Sequence, residues 1–174
     1  MQEKNKGLVY VFTGDGKGKT SAALGVAVRA ALSHKKVGWV SWYKEDRWPI
    51  SEKKLKLKNL KMYFMGQGFY KLPTDHASLP QHKCAAAKAL KQAEKLLKAV
   101  DVLILDEVNN AVADKLINLI DLINLISKRG KVHLIITGRD ACPELVEGAD
   151  LVTEMKKIKH PFDKGIKAVK GLDY

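Results

Sequence analysis

The strongest constraint on this chain is a glycine- and lysine-rich segment, GDGKGKT, at residues 14–20. An apolar, β-branched run at residues 8–13 precedes it, and an alanine-rich segment with helical character, residues 20–32, follows it. Strand, glycine turn, Lys-Thr pair and helix in this order form the context of a phosphate-binding loop, or P-loop. The segment therefore predicts a nucleotide site at the carboxyl end of the first strand.

Small residues in such a loop let successive backbone N–H groups point at phosphate oxygens, and the N-terminal end of the following helix adds positive potential. Lys19 is expected to neutralise phosphate charge, and the Thr20 hydroxyl is expected to ligate Mg²⁺. One position departs from the usual pattern, because Thr13 stands where most such loops have glycine. The predicted nucleotide-binding residues of the loop are Gly14, Asp15, Gly16, Lys17, Gly18, Lys19, Thr20 and Ser21.

A second signal is the apolar run at residues 102–105, which ends in Asp106 and Glu107. In P-loop proteins a strand of this kind lies beside the loop and brings its acid to the metal. We therefore predict that Thr20, Asp106 and Glu107 form the metal site. Catalytic roles are predicted for Lys19, Thr20 and Glu107. Spacing alone does not decide which carboxylate holds the metal and which has another task.

Two arginines are candidate phosphate ligands, and both enter the predicted nucleotide-binding set. Arg139 follows Thr137 and Gly138 at the end of a predicted strand, where ligands of open α/β sheets gather, and a guanidinium can clamp a phosphate with two hydrogen bonds. Arg29 lies on the first predicted helix among small apolar residues. For each arginine a purely structural role stays open as an alternative.

Strand-like and helical segments alternate along the rest of the chain. The predicted strands are residues 8–13, 37–42, 62–65, 102–105, 132–137 and 151–155. The predicted helices are residues 20–32, 82–99, 115–128 and a short one from Pro143. This alternation indicates right-handed βαβ units. It predicts an α/β fold, a single RecA-like P-loop domain over residues 1–174, with a mainly parallel sheet and helices on both faces. The basic tail from Lys156 is predicted to be irregular.

Composition narrows the possible partners. The net charge of +12 implies attraction to phosphates, nucleic acid, acidic membranes or anionic proteins without choosing among them. The densest basic run, residues 53–61, alternates lysine with leucine and has no interleaved aromatic residues, so a solvated face is favoured over a nucleic-acid patch. No run approaches the roughly 20 apolar residues that a membrane span requires. Because residues 1–7 lack the apolar core of a signal peptide, a cytoplasmic location is predicted.

The metal-binding and redox residue types show no pattern of their own. The five histidines lack metal-ligand spacing, and the two cysteines have no CxxC partner. Neither a zinc site nor a disulfide framework is predicted.

Four stretches together resemble the P-loop type of ATP:corrinoid adenosyltransferases: TGDGKGKTSAALGVAVRA, LILDE, ITGRDACPELVEGADLVTEM and KHPFDKGIKAVKGLDY. The P-loop and the Asp-Glu strand occur in many NTPases, whereas the KHPFD stretch at residues 159–163 and the Gly-Ile-Lys-Ala sequence after it are more particular. Lys44 and Glu52 fall where the family has its FxKG…GE stretch, and residues 66–69 match its GxGF. The similarity runs through nearly the whole chain.

The resemblance implies that the Co(I) of a reduced corrinoid attacks the 5′ carbon of ATP and expels triphosphate. ATP would lie reversed in the loop compared with ordinary NTPases. Thr20 and Glu107 would surround Mg²⁺, and Arg29 would approach the nucleotide. A flavodoxin-like reductant and a homodimer are further expectations of the family.

The resemblance also implies a corrinoid surface made by Phe69 with its neighbours Tyr70 and Lys71. The family commonly has tryptophan at the position of Lys71 and often has an aromatic residue at the position of Asn110, so this chain departs from the pattern twice. Two other functions stay open as alternatives. One is a RecA-like ATPase in which Glu107 orients water and the basic surface follows nucleic acid. The other is a degenerate corrinoid-binding module.

Overall fold

The computed structural model describes residues 6–174, and six strands of this part form one sheet. The strands are β1 (Val9–Thr13), β2 (Val37–Ser41), β3 (Leu60–Phe64), β4 (Val102–Asp106), β5 (His133–Thr137) and β6 (Leu151–Glu154). Their order is β3-β2-β4-β5-β1-β6, and every pairing is parallel. The predicted α/β class with a parallel sheet is confirmed. Residues 1–5, on which much of the signal-peptide argument rests, lie outside the described residues.

Helices cover both faces of this sheet, as predicted. They are α1 (Lys19–Leu32), α2 (Leu79–Leu96), α3 (Val108–Ala113), α4 (Leu119–Ser127) and α5 (Pro143–Glu147). On one face α1 presents the small buried side chains Ala23, Ala27 and Ala31 to the strands, which lets its backbone approach the sheet closely. On the other face α2, α3 and α4 pack over the apolar side chains of β4 and β5. No helix in residues 6–174 combines the length and hydropathy needed to cross a bilayer.

Three predicted boundaries are wrong. The predicted helix at residues 115–128 begins four residues late, at Leu119, because Lys115 adopts a left-handed backbone with φ 57°; the separate short helix α3 ends before it. Helix α2 begins at Leu79, three residues before the predicted start, where Ser78 and Gln81 form a capping box. The tail is not wholly irregular, since it contains a 3₁₀ turn at Pro161–Lys164. A second 3₁₀ turn, Ser51–Lys54, lies in the polar segment before β3.

The strand order positions the site. Strand β5 lies between β1 and β4, and β2 lies on the other side of β4. Because all of these strands are parallel, the loop after β1 and the last residues of β2, β4 and β5 meet at one edge of the sheet. Ligands of open α/β sheets bind at this edge.

The central strands should supply much of the stability. Leu134→Ala in β5 removes a fully buried side chain, so we expect it to lower the free energy of unfolding by about 2–5 kcal/mol. Ile120→Ala is the matched control, because Ile120 in α4 is 72% exposed and its loss should cost less than about 0.5 kcal/mol. Urea denaturation measures both values, and equal losses would contradict the described core.

Candidate active site

The P-loop folds around its own lysine. Gly14 and Gly18 have positive φ angles of 97° and 115°, a conformation that favours glycine, and Gly18 caps the N-terminus of α1. The Lys19 ammonium donates hydrogen bonds to the carbonyl oxygens of Gly14 at 2.7 Å and Gly16 at 2.6 Å. Burial, followed by the nearby charge of Arg139, lowers the pKa of Lys19. The cation therefore lies over the loop where a polyphosphate would bind.

Asp106, at the end of β4, is a buried hub of hydrogen bonds. Its Oδ1 accepts from the hydroxyls of Thr20 and Thr137, each at 3.0 Å. Its Oδ2 accepts from the Ser41 hydroxyl at 2.7 Å and from the Lys44 ammonium at 2.8 Å. Burial by itself would raise the pKa of Asp106, but Lys44 and the hydroxyl donors lower it overall. The side chain is fully buried, so this set of donors replaces water.

These contacts separate the roles of the residues predicted to bind metal. A carboxylate has about four acceptor positions, and the four donors use those of Asp106. Direct metal ligation by Asp106 would therefore require one donor to leave. The Thr20 proton points at Asp106, which leaves the lone pairs of the Thr20 oxygen available to a cation. Asp106 is thus better suited to orienting Thr20 than to holding the metal itself.

Glu107 is the carboxylate that remains available. Its backbone has a left-handed φ of 64°, and its N–H donates to the Thr137 hydroxyl at 2.8 Å. Its Oε2 atom is enclosed and has no hydrogen-bond partner among the described residues. Burial, followed by the charge of Asp106, raises the pKa of Glu107 to about 7. An enclosed, unpartnered carboxylate oxygen beside the P-loop suits a cation.

A cavity of about 1060 Å³ joins these groups to an aromatic wall. Of the predicted site residues, its lining includes Asp15, Gly16, Lys17, Gly18, Lys19, Thr20, Ser21, Phe69, Tyr70, Glu107 and Arg139. Lys44, which belongs to the hub of hydrogen bonds, also lines it. The structure therefore brings the predicted phosphate side and the predicted corrinoid side into one space.

Gly14 and Asp106 do not line the cavity, but each accepts a hydrogen bond from a residue that does. The two other predicted site residues lie elsewhere. Arg29 is exposed on the outer face of α1, where it lines a separate surface groove with Leu24 and Leu32. The structure does not bring Arg29 to the loop, and its assignment to the nucleotide stays a prediction. Lys71 is exposed and does not line the cavity; its ammonium lies 4.9 Å from the centre of the Tyr70 ring. A role for Lys71 toward the corrinoid likewise stays a prediction.

Phe69 is held in place by aromatic packing. Its ring stacks on Tyr43 with centroids 5.8 Å apart and lies 5.7 Å from the Trp48 ring. The Tyr43 hydroxyl donates to Asp114 at 2.5 Å, and burial followed by this bond raises the pKa of Tyr43. A side chain at Gly66 would lie 2.1 Å from the Tyr43 carbonyl carbon, so the loop after β3 can approach Tyr43 only with glycine there.

Sequence reasoning did not identify the residues that contact Asp106 or those that hold Phe69. Ser41 and Thr137 were not assigned a role, although each donates to Asp106, and Lys44 was noted only for its family position. Tyr43 and Asp114 were missed entirely. Polar residues at the ends of predicted strands were the available signal, because parallel strands bring such ends together.

Residues 5–174 match a family model described as ATP:corrinoid adenosyltransferase BtuR/CobO/CobP. The chain is 35% identical over 176 residues to the corrinoid adenosyltransferase of Escherichia coli K12, covering 99% of this chain and 88% of that protein. This chain belongs to the ATP:corrinoid adenosyltransferase family. The resemblance predicted from its motifs is confirmed.

Further relatives agree with this family membership. The corrinoid adenosyltransferase CobA of Salmonella typhimurium is 36% identical over 177 residues, covering 99% of this chain and 88% of that protein. The corrinoid adenosyltransferase of Pseudomonas aeruginosa is 36% identical over 175 residues, covering 97% of this chain and 84% of that protein. Among solved structures, the replication initiator DnaA bound to AMPPCP and single-stranded DNA has a TM-score of 0.47 at 14% identity, covering 87% of this chain and 41% of that chain. That likeness is too distant to support a functional inference.

The Lys44–Asp106 pair offers a test of the hub in this adenosyltransferase. Lys44→Met leaves the carboxylate buried without its cation, so we expect a loss of about 3–5 kcal/mol in the free energy of unfolding. The double variant Lys44→Met/Asp106→Asn removes both charges and should recover part of that loss. Lys156→Met is the control, because Lys156 is 75% exposed and its ion pair should contribute less than about 1 kcal/mol. Equal stabilities of the two single variants would contradict the hub.

The loop that carries Phe69 should show a pH-dependent contribution to stability. Asp75 accepts a hydrogen bond from His82 at 2.8 Å, and this bond, with backbone donors, lowers the pKa of Asp75 from 3.8 to about 2. The contribution is therefore fully present above pH 4 and is lost as pH falls toward 2. We expect the stability difference between the wild type and Asp75→Asn to shrink over that range in urea denaturation. A difference that stays constant from pH 5 to pH 2 would overturn this assignment.

Proposed function

We propose that this chain transfers the 5′-deoxyadenosyl group of ATP to the Co(I) of a reduced corrinoid and releases triphosphate. The observation that supports this is one cavity that contains both a P-loop and the aromatic wall of Phe69 and Tyr70. The loop suits a polyphosphate, and the aromatic wall suits a large planar macrocycle.

The chemistry makes the loop a site for the leaving group. The electron pair of Co(I) forms the cobalt–carbon bond to C5′ of the ribose, the C5′–O bond breaks, and its electron pair leaves with triphosphate. Cobalt is thereby oxidised to Co(III), and no proton has to move. Negative charge grows on the departing triphosphate, so backbone N–H groups and the Lys19 ammonium around it stabilise the transition state. Arg139 lines the cavity and adds a second cation.

The donors present fit Mg²⁺. Thr20 has free oxygen lone pairs, and Glu107 has an enclosed carboxylate oxygen without a partner. In residues 6–174 no group of three or more His, Cys, Asp or Glu residues is placed to hold a metal ion. The two oxygen donors, Thr20 and Glu107, suit Mg²⁺, which usually takes one or two protein ligands together with phosphates and water. When bound, Mg²⁺ would neutralise triphosphate charge; Asp106 would orient Thr20.

The remaining expectations concern partners and location. The net charge of +12 favours an acidic electron donor, and a flavodoxin-like reductant meets that requirement. A homodimer is proposed from the family resemblance, and a cytoplasmic location stays a proposal. Direct contact of Arg29 with the nucleotide and of Lys71 with the corrinoid also belongs to this proposal.

The identity of the phosphate product tests the proposed function. Incubation of the protein with ATP, Mg²⁺ and chemically reduced cobalamin should give adenosylcobalamin and inorganic triphosphate in equal amounts. The cobalt absorption spectrum measures the adenosylcobalamin, and anion chromatography measures the triphosphate. Omission of the reductant is the control and should stop both products. Orthophosphate without a cobalt–carbon product would favour a hydrolytic ATPase, and tight corrinoid binding without spectral change would favour a degenerate binding module.

A further inference from the structure

The C-terminal arm, residues 155–174, begins against the P-loop. The Gly16 N–H donates to the Met155 carbonyl at 2.7 Å, and the Met155 N–H donates to the Thr13 carbonyl at 2.8 Å. The Lys157 N–H donates to the Asp15 carboxylate at 3.0 Å. A side chain at Gly16 would lie 2.6 Å from the Met155 carbonyl oxygen. The close approach of the arm therefore requires glycine at this position.

The arm also ends at the P-loop side of the cavity. Asp173 forms an ion pair with Lys17, the first of the two lysines of the loop. The Tyr174 carbonyl accepts a hydrogen bond from the Ser51 hydroxyl at 2.9 Å, in the 3₁₀ turn before β3. Together these contacts make the arm one rim of the cavity.

The middle of the arm presents an aromatic ring. Within the 3₁₀ turn Pro161–Lys164, the Phe162 N–H donates to His160 Nδ1 at 3.1 Å, and the Lys157 ammonium pairs with Asp163 at 3.0 Å. Phe162 lines the cavity, is 75% exposed, and makes no ring contact with another described aromatic residue or cation. The KHPFD stretch thus builds a turn that presents an unpartnered aromatic ring to the cavity.

We propose that the arm is the nucleoside wall of the site and that Phe162 stacks on the adenine base of ATP. The inference depends on the proposed function only in that the P-loop holds the polyphosphate. The arm is hydrogen-bonded and ion-paired to the loop residues Asp15, Gly16 and Lys17, so its ring lies on the side of the cavity where a base joined to that polyphosphate can reach. The Phe69 ring belongs to the other wall, packed on Tyr43. The two aromatic walls therefore take two different substrates.

Isothermal titration without any corrinoid tests this inference. ATP and inorganic triphosphate are titrated, each with Mg²⁺, into the full chain and into Phe162→Ala and Phe162→Trp. We expect Phe162→Ala to weaken ATP about tenfold and to leave triphosphate unchanged, because only ATP has a base to stack. Phe162→Trp should keep ATP affinity near that of the wild type. Ile158→Ala is the matched control, because Ile158 is 96% exposed on the same arm and does not line the cavity.

The other outcomes overturn the inference. Equal weakening of ATP and triphosphate by Phe162→Ala would mean that the ring only supports the arm, and no change in either ligand would mean that it does not stack. In a separate titration with reduced cobalamin, a Phe162→Ala variant that binds ATP normally but loses the corrinoid would place Phe162 in the corrinoid wall. If the wild type binds triphosphate as tightly as ATP, the adenine base adds nothing to the affinity and there is no base subsite. Failure of the adenosyl-transfer assay alone would overturn the proposed function and leave the nucleoside wall intact.

Discussion

The site depends on one buried carboxylate. Asp106 receives hydrogen bonds from α1, from the end of β2 and the residues after it, and from the end of β5, so a single side chain ties together the elements that meet at the sheet edge. A buried carboxylate is stable only when such donors replace water. Lys44 supplies the compensating charge, so Asp106 stays ionised. Lys44 and the hydroxyl donors together occupy the acceptor positions of its carboxylate. We infer that Asp106 holds the Thr20 hydroxyl in one orientation, because that hydroxyl donates to its Oδ1.

This arrangement gives the two consecutive acids, Asp106 and Glu107, different roles. Donors from the protein occupy the acceptor positions of Asp106. Glu107, in contrast, has a carboxylate oxygen without a partner and lines the cavity together with Lys19. The left-handed backbone of Glu107 turns the chain into α3, and its N–H is fixed by the Thr137 hydroxyl. A site that contains a P-loop, one available carboxylate and a separate aromatic wall suits displacement at the sugar carbon, with the triphosphate held as the leaving group.

Much of this was predictable because the signals are local. GDGKGKT between a strand and a helix and the Asp-Glu pair after an apolar strand located the phosphate side of the site, and the alternation of segments predicted the parallel sheet. Ser41, Lys44 and Thr137 were not assigned to Asp106, because they lie far apart in the chain and only their positions at or just after strand ends indicate that they meet. Helix α3 was missed because its six residues are too few for an apolar period. The return of the arm to Lys17 has no local signal at all.

A crystal structure with ATP and Mg²⁺ tests the division between the two acids most directly. We expect a metal ion bound by the Thr20 hydroxyl and the Glu107 carboxylate, with Asp106 still hydrogen-bonded to Thr20, Ser41, Lys44 and Thr137. The ribose should face the cavity that Phe69 lines, with room for a corrin beside C5′. A metal ion on Asp106, or a terminal phosphorus facing a water molecule held by Glu107 with no space beside the ribose, would contradict it.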